Sequence, residues 1–281
     1  MTCHSGGPGT LEYHPCKYGN SRVTFRGPKA SMEDDFIAFL GGIETYGRFI
    51  SAPFPDLLGR LLSVEAVNFG VANAGVDFYL NDPSVLELSG GALVKVLQVM
   101  GAQNMSNRFY MVHPRRNDRF LRASESLEEL FPEVDFTEFH FNRHMLARLS
   151  EVSAERHAVV VEELRTAWVA RMKHVLTIMR GKVVLLWFAD HPIPESISVS
   201  VSGVKDPLFV TRSMIETLRP RVAAVVEVVC SDQASMEGTT GMVFNDFEAC
   251  AAAEQMGPTA HAEAADALAE VVGPMVGGGL A

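Results

Sequence analysis

The residues of this sequence that could act on another molecule gather on a few short stretches. The first is Phe39-Leu40-Gly41-Gly42-Ile43-Glu44-Thr45-Tyr46-Gly47. Gly41 and Gly42 permit backbone angles that a side chain forbids, and Glu44 follows them directly with a carboxyl that can serve as an acid or a base. Thr45 reads as a helix-start hydroxyl rather than a nucleophile. The second stretch is Asp190-His191-Pro192. A histidine beside an aspartate can be a general base, and the alternative is a loop histidine held by Pro192. Ser231-Asp232 ends a later strand and is a lesser candidate. His113-Pro114-Arg115-Arg116-Asn117-Asp118-Arg119 is the densest basic segment. Paired guanidinium groups bind phosphate, sulfate or carboxylate by two-point contacts; the alternative is a solvated loop of Arg–Asp pairs.

Metal chemistry finds little footing. Cys3, His4, His14 and Cys16 carry ligand atoms, but their spacing fits no zinc pattern. His140 and His144 are spaced i, i+4 on an expected helix, without the acidic partner of an HExxH site. No metal and no cofactor is expected.

The apolar run Phe36–Leu40 is short, continuous and closed by glycine, as a buried parallel strand is. A helix is expected over Phe54–Leu62, then strands at Ala66–Phe69 and Leu93–Met100. Strand, helix and strand in alternation imply right-handed crossovers and a parallel sheet. Residues 105–150 are too long for an ordinary crossover and read as a lid or insertion, with helices around Glu125–Phe131 and in Phe139–Leu149. Glu155–Arg180 is the clearest helix, with Val161, Leu164, Trp168, Met172, Val175 and Met179 on one face. Val183–Phe188 and Val222–Val229 read as further strands, Ser213–Leu218 as a helix, and residues 195–210 as a surface hairpin or loop. An Ala-rich helix is expected from a Thr259 cap to Val272, stopped by Gly273, with a fraying tail over 277–281. Residues 1–30 are expected to pack across a single domain of residues 31–275 as a clasp, the alternative being a substrate wall.

The glycine turn resembles the first signature block of the SGNH (GDSL-like) hydrolases, roughly G-D-S-x-T-x-G. Gly41, Thr45, Tyr46 and Gly47 fit; Gly42 stands at the Asp position and Ile43 at the position of the nucleophilic serine. Asn68-x-Gly70, with Gly75 beyond, resembles the second block. Gly101-Ala102-Gln103-Asn104 resembles the third, with Gln103 at its Asn position and Asn104 at its Asp position. The last block, D-x-x-H-P, aligns with Glu254-Gln255-Met256-Gly257-Pro258, so Gly257 stands in the place of the catalytic histidine. The whole also resembles an uncharacterised bacterial family of this type that lacks the usual catalytic Ser and His.

The resemblance implies a three-layer, flavodoxin-like α/β sheet of order 2-1-3-4-5, with a crevice between strands one and three. It also implies an oxyanion-hole frame at Gly70 and Gln103. Candidate catalytic residues are His191, Asp190 and Glu44. Candidate substrate-binding residues are Gly42, Ile43, Gly70, Asn73, Gln103, Asn104, Arg115 and Arg116.

Composition bounds the function. The 281 residues carry a net charge of −10, which argues against nonspecific nucleic-acid binding. Hydrophobic content of 47% supports a packed core. No run reaches the ~18 apolar residues of a membrane helix. No signal peptide is visible, and four cysteines without a CxxC suggest free thiols in a cytoplasmic, bacterial setting. The expected ligand is an acylated or anionic small molecule or glycan, handled without Ser–His chemistry. The alternatives are an inactive binding or accessory protein, and a group transferase whose Arg115/Arg116 loop holds an anionic donor.

Overall fold

A computed structural model describes residues 9–196, 201 and 205–277. Cys3 and His4 of the possible metal set lie outside the described residues, as do 197–200 and 202–204 of the expected 195–210 loop and the tail 278–281.

Phe36–Leu40 forms β1, with all five residues buried. α1 (Ile43–Tyr46) and α2 (Phe54–Leu62) follow, then β2 (Glu65–Asn68), α3 (Val76–Asn81), α4 (Pro83–Ser89) and β3 (Val94–Gln98). The long connection holds β4 (Tyr110–His113), β5 (Arg116–Ala123), α5 (Glu125–Leu130), α6 (Asn142–Val152) and α7 (Ala154–Ile178). The chain continues through β6 (Val183–Ala189), α8 (Arg212–Leu218), β7 (Ala224–Val229), α9 (Asp232–Glu237), α10 (Ala249–Ala252) and α11 (Pro258–Gly277).

The main sheet is five-stranded and parallel, in the order β2-β1-β3-β6-β7. The expected order was 2-1-3-4-5. The difference in detail comes from the insertion after β3, whose antiparallel β4–β5 pair forms a sheet of its own. Side chains alternate across the main sheet. Ile37, Phe39, Val94, Val96, Val184 and Leu186 face α2 and α11 in one core. Phe36, Ala38, Leu40, Leu97, Leu185 and Trp187 face the other side, with α3, α7 and the insertion. Helices thus cover both faces, which explains why the central strands read as unbroken apolar runs.

The apolar stripe of α7 is core throughout, and Trp168 donates its indole N–H to the Met100 carbonyl at 2.8 Å. Tyr18 and Phe25 pack edge-on against Phe69. Buried Arg26 donates to the carbonyls of Gly47 (2.6 Å) and Ser51 (2.9 Å), tying the N-terminal segment to the loop after α1.

Several expectations change. His140 precedes α6 rather than sharing a helix face with His144, whose ring packs edge-on against Phe139. α11 begins at Pro258 and runs through Gly273 and Pro274. Thr259 lies inside it and bonds Glu237 instead of capping the helix. Packing against α2 outweighs the local breakers there. Among the described residues no helix is long and apolar enough to cross a membrane.

Candidate functional site

The turn after β1 is held from inside the sheet by Gln98, the last residue of β3. Its Oε1 accepts from the Gly42 amide (3.0 Å), the Thr45 amide (3.3 Å) and the Thr45 hydroxyl (2.6 Å). With the carbonyl so engaged, the amide nitrogen has one orientation, and it donates to Glu44 Oε2 at 2.7 Å. Neither Gly41 nor Gly42 has positive φ. What Gly41 supplies is space: a methyl there would stand 2.1 Å from Thr45 Oγ1 and 2.5 Å from Gln98 Oε1. The Tyr79 hydroxyl closes the turn from the other side, accepting from the Gly41 amide at 2.6 Å.

Glu44 thereby projects into a cleft of about 430 Å³ at the carboxyl edge of the sheet. The ends of β1, β6 and β7 contribute Ile43 and Glu44, Asp190, and Cys230. Arg143 of α6, Lys205, Asp206, Ser235 of α9 and the stretch Glu254–Gly257 before α11 complete the walls. A chamber of about 90 Å³ lies between the ends of β1 and β3. It shares Ile43, Glu44 and Asp206 with the cleft and adds Gln98, Gly101, Gln103 and Asn104 among others.

Charge is unevenly matched in this space. Asp190 is bonded by Lys205 and lies 2.9 Å from His191 Nδ1. Burial would raise its carboxyl, but these two partners outweigh that and hold it below the usual range. Asp206 pairs with Arg143 at 3.0 Å and accepts from Gln103 Nε2 at 2.8 Å. Glu44 has no cationic partner among the described residues. Desolvation pushes its carboxyl up, the Gln98 amide opposes the shift, and the charge of Asp206 adds to it. Burial also raises the Cys230 thiol, to about 11, with Glu263 and Asp190 adding. That thiol stays protonated near neutrality and is no nucleophile there.

The residues singled out in the sequence divide accordingly. Glu44 and Asp190 come together on the cleft, and Gly42, Ile43, Gln103 and Asn104 line the chamber. His191 lines neither; its ring stands edge-on to Trp187, and its carbonyl accepts the Trp187 indole N–H at 2.9 Å. The Gly70 amide is spent on Asn68 Oδ1 at 2.8 Å, so it is not free for an oxyanion. Gly70 is small because α1 presses on it: a Cβ would lie 2.5 Å from the Tyr46 nitrogen. One of the two N–H groups of the Gln103 amide is committed, to Asp206. Asn73 is exposed outside both spaces, and its carbonyl accepts from the Asn117 amide. Arg115 and Arg116 are exposed at the β4–β5 turn, away from the lining of the cleft; Arg115 borders a separate depression with Arg22 and Asp82. Ser231 caps α9 and bonds Glu263.

Sequence reasoning missed Gln98, Lys205, Asp206, Arg143 and His261. Gln98 had a signal, a polar residue at the end of a buried strand. Lys205 and Asp206 sit on a loop with none. His261 lies four residues beyond Gly257, but α11 turns it into the core. Its Nδ1 accepts the Phe54 amide at 3.1 Å and its ring stacks on Phe54. Burial lowers it to about 3, so it is neutral. Among the described residues the cleft lining holds one serine, Ser235, and no histidine, and no cluster of His, Cys, Asp and Glu is arranged to hold a metal.

The model of a family described as "Domain of unknown function (DUF6473)" matches residues 1–276. No curated protein matches the chain. Among solved structures, a lipase from a goat rumen metagenome is 11% identical with a TM-score of 0.45, over 85% of this chain and 97% of that one. A carbohydrate esterase family 2 enzyme with its carbohydrate-binding domain, from Corynascus thermopiles (Myceliophthora fergusii), is 11% identical with a TM-score of 0.43, over 91% of this chain and 71% of that one. A catalytic mutant of an acetylxylan esterase from Geobacillus stearothermophilus is 12% identical with a TM-score of 0.40, over 85% and 94%.

Proposed function

The chain belongs to the family described as a domain of unknown function (DUF6473), and we propose that this member is a divergent SGNH-type protein. Its cleft binds a small polar molecule of the acylated or glycan type. Glu44 is the acid–base group, and Ser–His chemistry is absent. The observation that carries this reading is Glu44 itself, a cleft carboxyl without a cationic partner among the described residues, aimed by Gln98 and raised above its ordinary value by desolvation. The SGNH type is supported by the convergence of the glycine turn, Gly101–Asn104 and Glu254–Gly257 on the same cleft and chamber.

Ligand charge follows from the lining. Arg143 and Lys205 are matched to Asp206 and Asp190, which leaves Glu44 and Glu254 in excess. A neutral or cationic ligand therefore suits the cleft better than an anion. Thermal-shift screening with neutral glycans, acylated sugars and amino sugars should give hits, because a binder stabilises by mass action. Glu44→Gln should then lower any turnover of a neutral hit by about a hundredfold or more, with its binding kept. Unchanged turnover in that variant would remove Glu44 from the chemistry. Fluorophosphonate and p-nitrophenyl acetate should leave the protein unlabelled. Stoichiometric labelling of Ser235 would overturn the absence of serine chemistry.

A second reading, binding without turnover, is favoured by Ile43, which has no reactive atom at the turn. It is distinguished by hits that bind the wild type and Glu44→Gln alike and are recovered unchanged.

A further inference from the structure

The outer face of the β4–β5 hairpin carries a basic segment that the cleft does not use, and we infer that this face docks the protein on an anionic lipid surface. The inner face is core, with Tyr110, Val112 and Phe120 buried. Met111 alternates outward and is 41% exposed. The register shifts between the pairs Met111–Arg122 and Val112–Phe120, so Leu121 and Arg122 both stand opposite Met111. Such a bulge re-aims a side chain, and here it turns Leu121 outward, 52% exposed, beside Arg122. The far edge of β5 is paired with residues 139–141. There the Phe120 amide donates to the His140 carbonyl at 3.1 Å, and Arg119 stands opposite Phe141, which is 42% exposed. Guanidinium groups lie along these three apolar side chains. Arg122 Nε donates to Met111 Sδ at 3.1 Å, and the Arg119 guanidinium lies 3.9 Å over the Phe141 ring. Arg115 and Arg116 are exposed at the hairpin's turn.

Charge names the occupant. Residues 105–124 hold five arginines and one acidic residue, Asp118, in a chain of net charge −10. Asp118 lies 4.0 Å from Arg119, and Arg108 pairs with Glu163 at 3.9 Å. Arg115, Arg116 and Arg122 form no ion pair among the described residues. The complement is therefore anionic, and it must also receive Met111, Leu121 and Phe141. A polynucleotide meets the first need and offers little to two aliphatic side chains. An acidic protein meets both, but the ribbon is small. The eight residues of β5, with three chain segments abreast, cover about 400 Å², half of the ~800 Å² per partner of a stable protein interface. A bilayer needs no matching area: apolar side chains enter the head-group boundary while arginines stay with the phosphates. Each arginine near an anionic surface strengthens the contact about fivefold. The acidic remainder of the chain is repelled by the same surface, which turns the hairpin toward it. Such a contact needs no spanning helix, and it is independent of what the cleft binds.

The test is co-sedimentation of the full chain with vesicles of phosphatidylcholine alone and of phosphatidylcholine mixed with phosphatidylserine, with polyglutamate and single-stranded RNA titrated in parallel. Expected is binding to the mixed vesicles at least about tenfold tighter than to phosphatidylcholine, weakening as salt is raised. The triple variant Arg115→Ala, Arg116→Ala, Arg122→Ala should weaken it about a hundredfold. Leu121→Ser alone should weaken it about tenfold, because a buried leucine is lost from the boundary. These side chains are exposed, so each variant should melt with the wild type. On mixed vesicles the emission of Leu121→Trp should shift to the blue and be quenched by brominated acyl chains, whereas the native Trp168 and Trp187 are buried and report no such change. Absence of binding to the mixed vesicles would overturn the inference, as would undiminished binding of the triple variant or a vesicle-bound Leu121→Trp that escapes quenching. Tighter binding of polyglutamate or RNA than of the mixed vesicles, lost in the triple variant, would also overturn it and give the face to an acidic protein or to nucleic acid.

Discussion

Glu44 and His261 are two ionisable side chains that the fold strips of water. Glu44 is held ionisable but poorly solvated, so its carboxyl is raised by desolvation. A raised carboxyl means that the folded state keeps its proton to higher pH than the unfolded chain. The group therefore adds nothing unfavourable below the ordinary carboxylate value, and stability is lost as pH rises through the folded value. Glu44→Gln should accordingly melt above the wild type at neutral pH, with the difference vanishing in acid. A variant less stable than wild type at neutral pH would show that the carboxylate is compensated after all. His261 has the opposite sense. It is lowered from 6.5 to about 3 by burial, with Arg26 contributing. Its stabilising, neutral form is fully present above pH 6.5, and the unfolded state gains a proton as pH falls below that value. In urea titrations, the stability advantage of wild type over His261→Asn should shrink by about 1.4 kcal/mol for each pH unit below 6.5, down to about 3. A pH-independent difference would place the charge elsewhere.

Among elements, α1 is a single turn of four residues, too short to hold itself, and its geometry is borrowed from β3 through Gln98. Gly41→Ala inserts a methyl into that contact, 2.1 Å from Thr45 Oγ1. It should cost about 1–3 kcal/mol of stability and reduce ligand binding, because Glu44 follows the turn. Full stability with unaltered binding would show that the turn is softer than its packing indicates. The β4–β5 hairpin carries the basic segment but presents it away from the cleft. Arg115→Ala and Arg116→Ala should thus change the affinity of any cleft ligand by less than about twofold, as exposed charges contribute little. A tenfold loss in either variant would return the hairpin to the site.

For the molecule as a whole, the net charge of −10 is expressed locally at the cleft, where Glu44, Asp190, Asp206 and Glu254 outnumber Arg143 and Lys205. Sulfate and phosphate should therefore fail to stabilise the protein beyond their general exclusion effect, and a cationic ligand should weaken as salt is raised. Saturable phosphate binding displaced by a cleft ligand would contradict this. The architecture explains why such a site can exist at all. Five parallel strands end together, and helices on both faces leave their carboxyl edge as the place where loops from distant parts of the chain meet.

The sequence by itself determined the parallel α/β class, since strands covered on both faces must be apolar without alternation, as Phe36–Leu40 and Val183–Phe188 are. It determined α7 through its apolar stripe, and it located the glycine turn where the site begins, because tight turns and buried strands are written in local residue types. It did not reveal the β4–β5 hairpin, whose alternation is blurred by two register shifts and by arginines that read as a loop. Nor did it order the candidates. Whether Gly70 is small for an oxyanion or for the Tyr46 backbone, whether His261 faces a ligand or Phe54, and whether Arg115 or Lys205 borders the cleft are questions of contacts between residues far apart in the chain. Only the packing of the crossovers against the sheet sets those contacts. Gln98 joins the two levels: a polar residue ending a buried strand is visible in the sequence, but the three donors it accepts and the Glu44 carboxyl it aims become neighbours only when β1 and β3 pair.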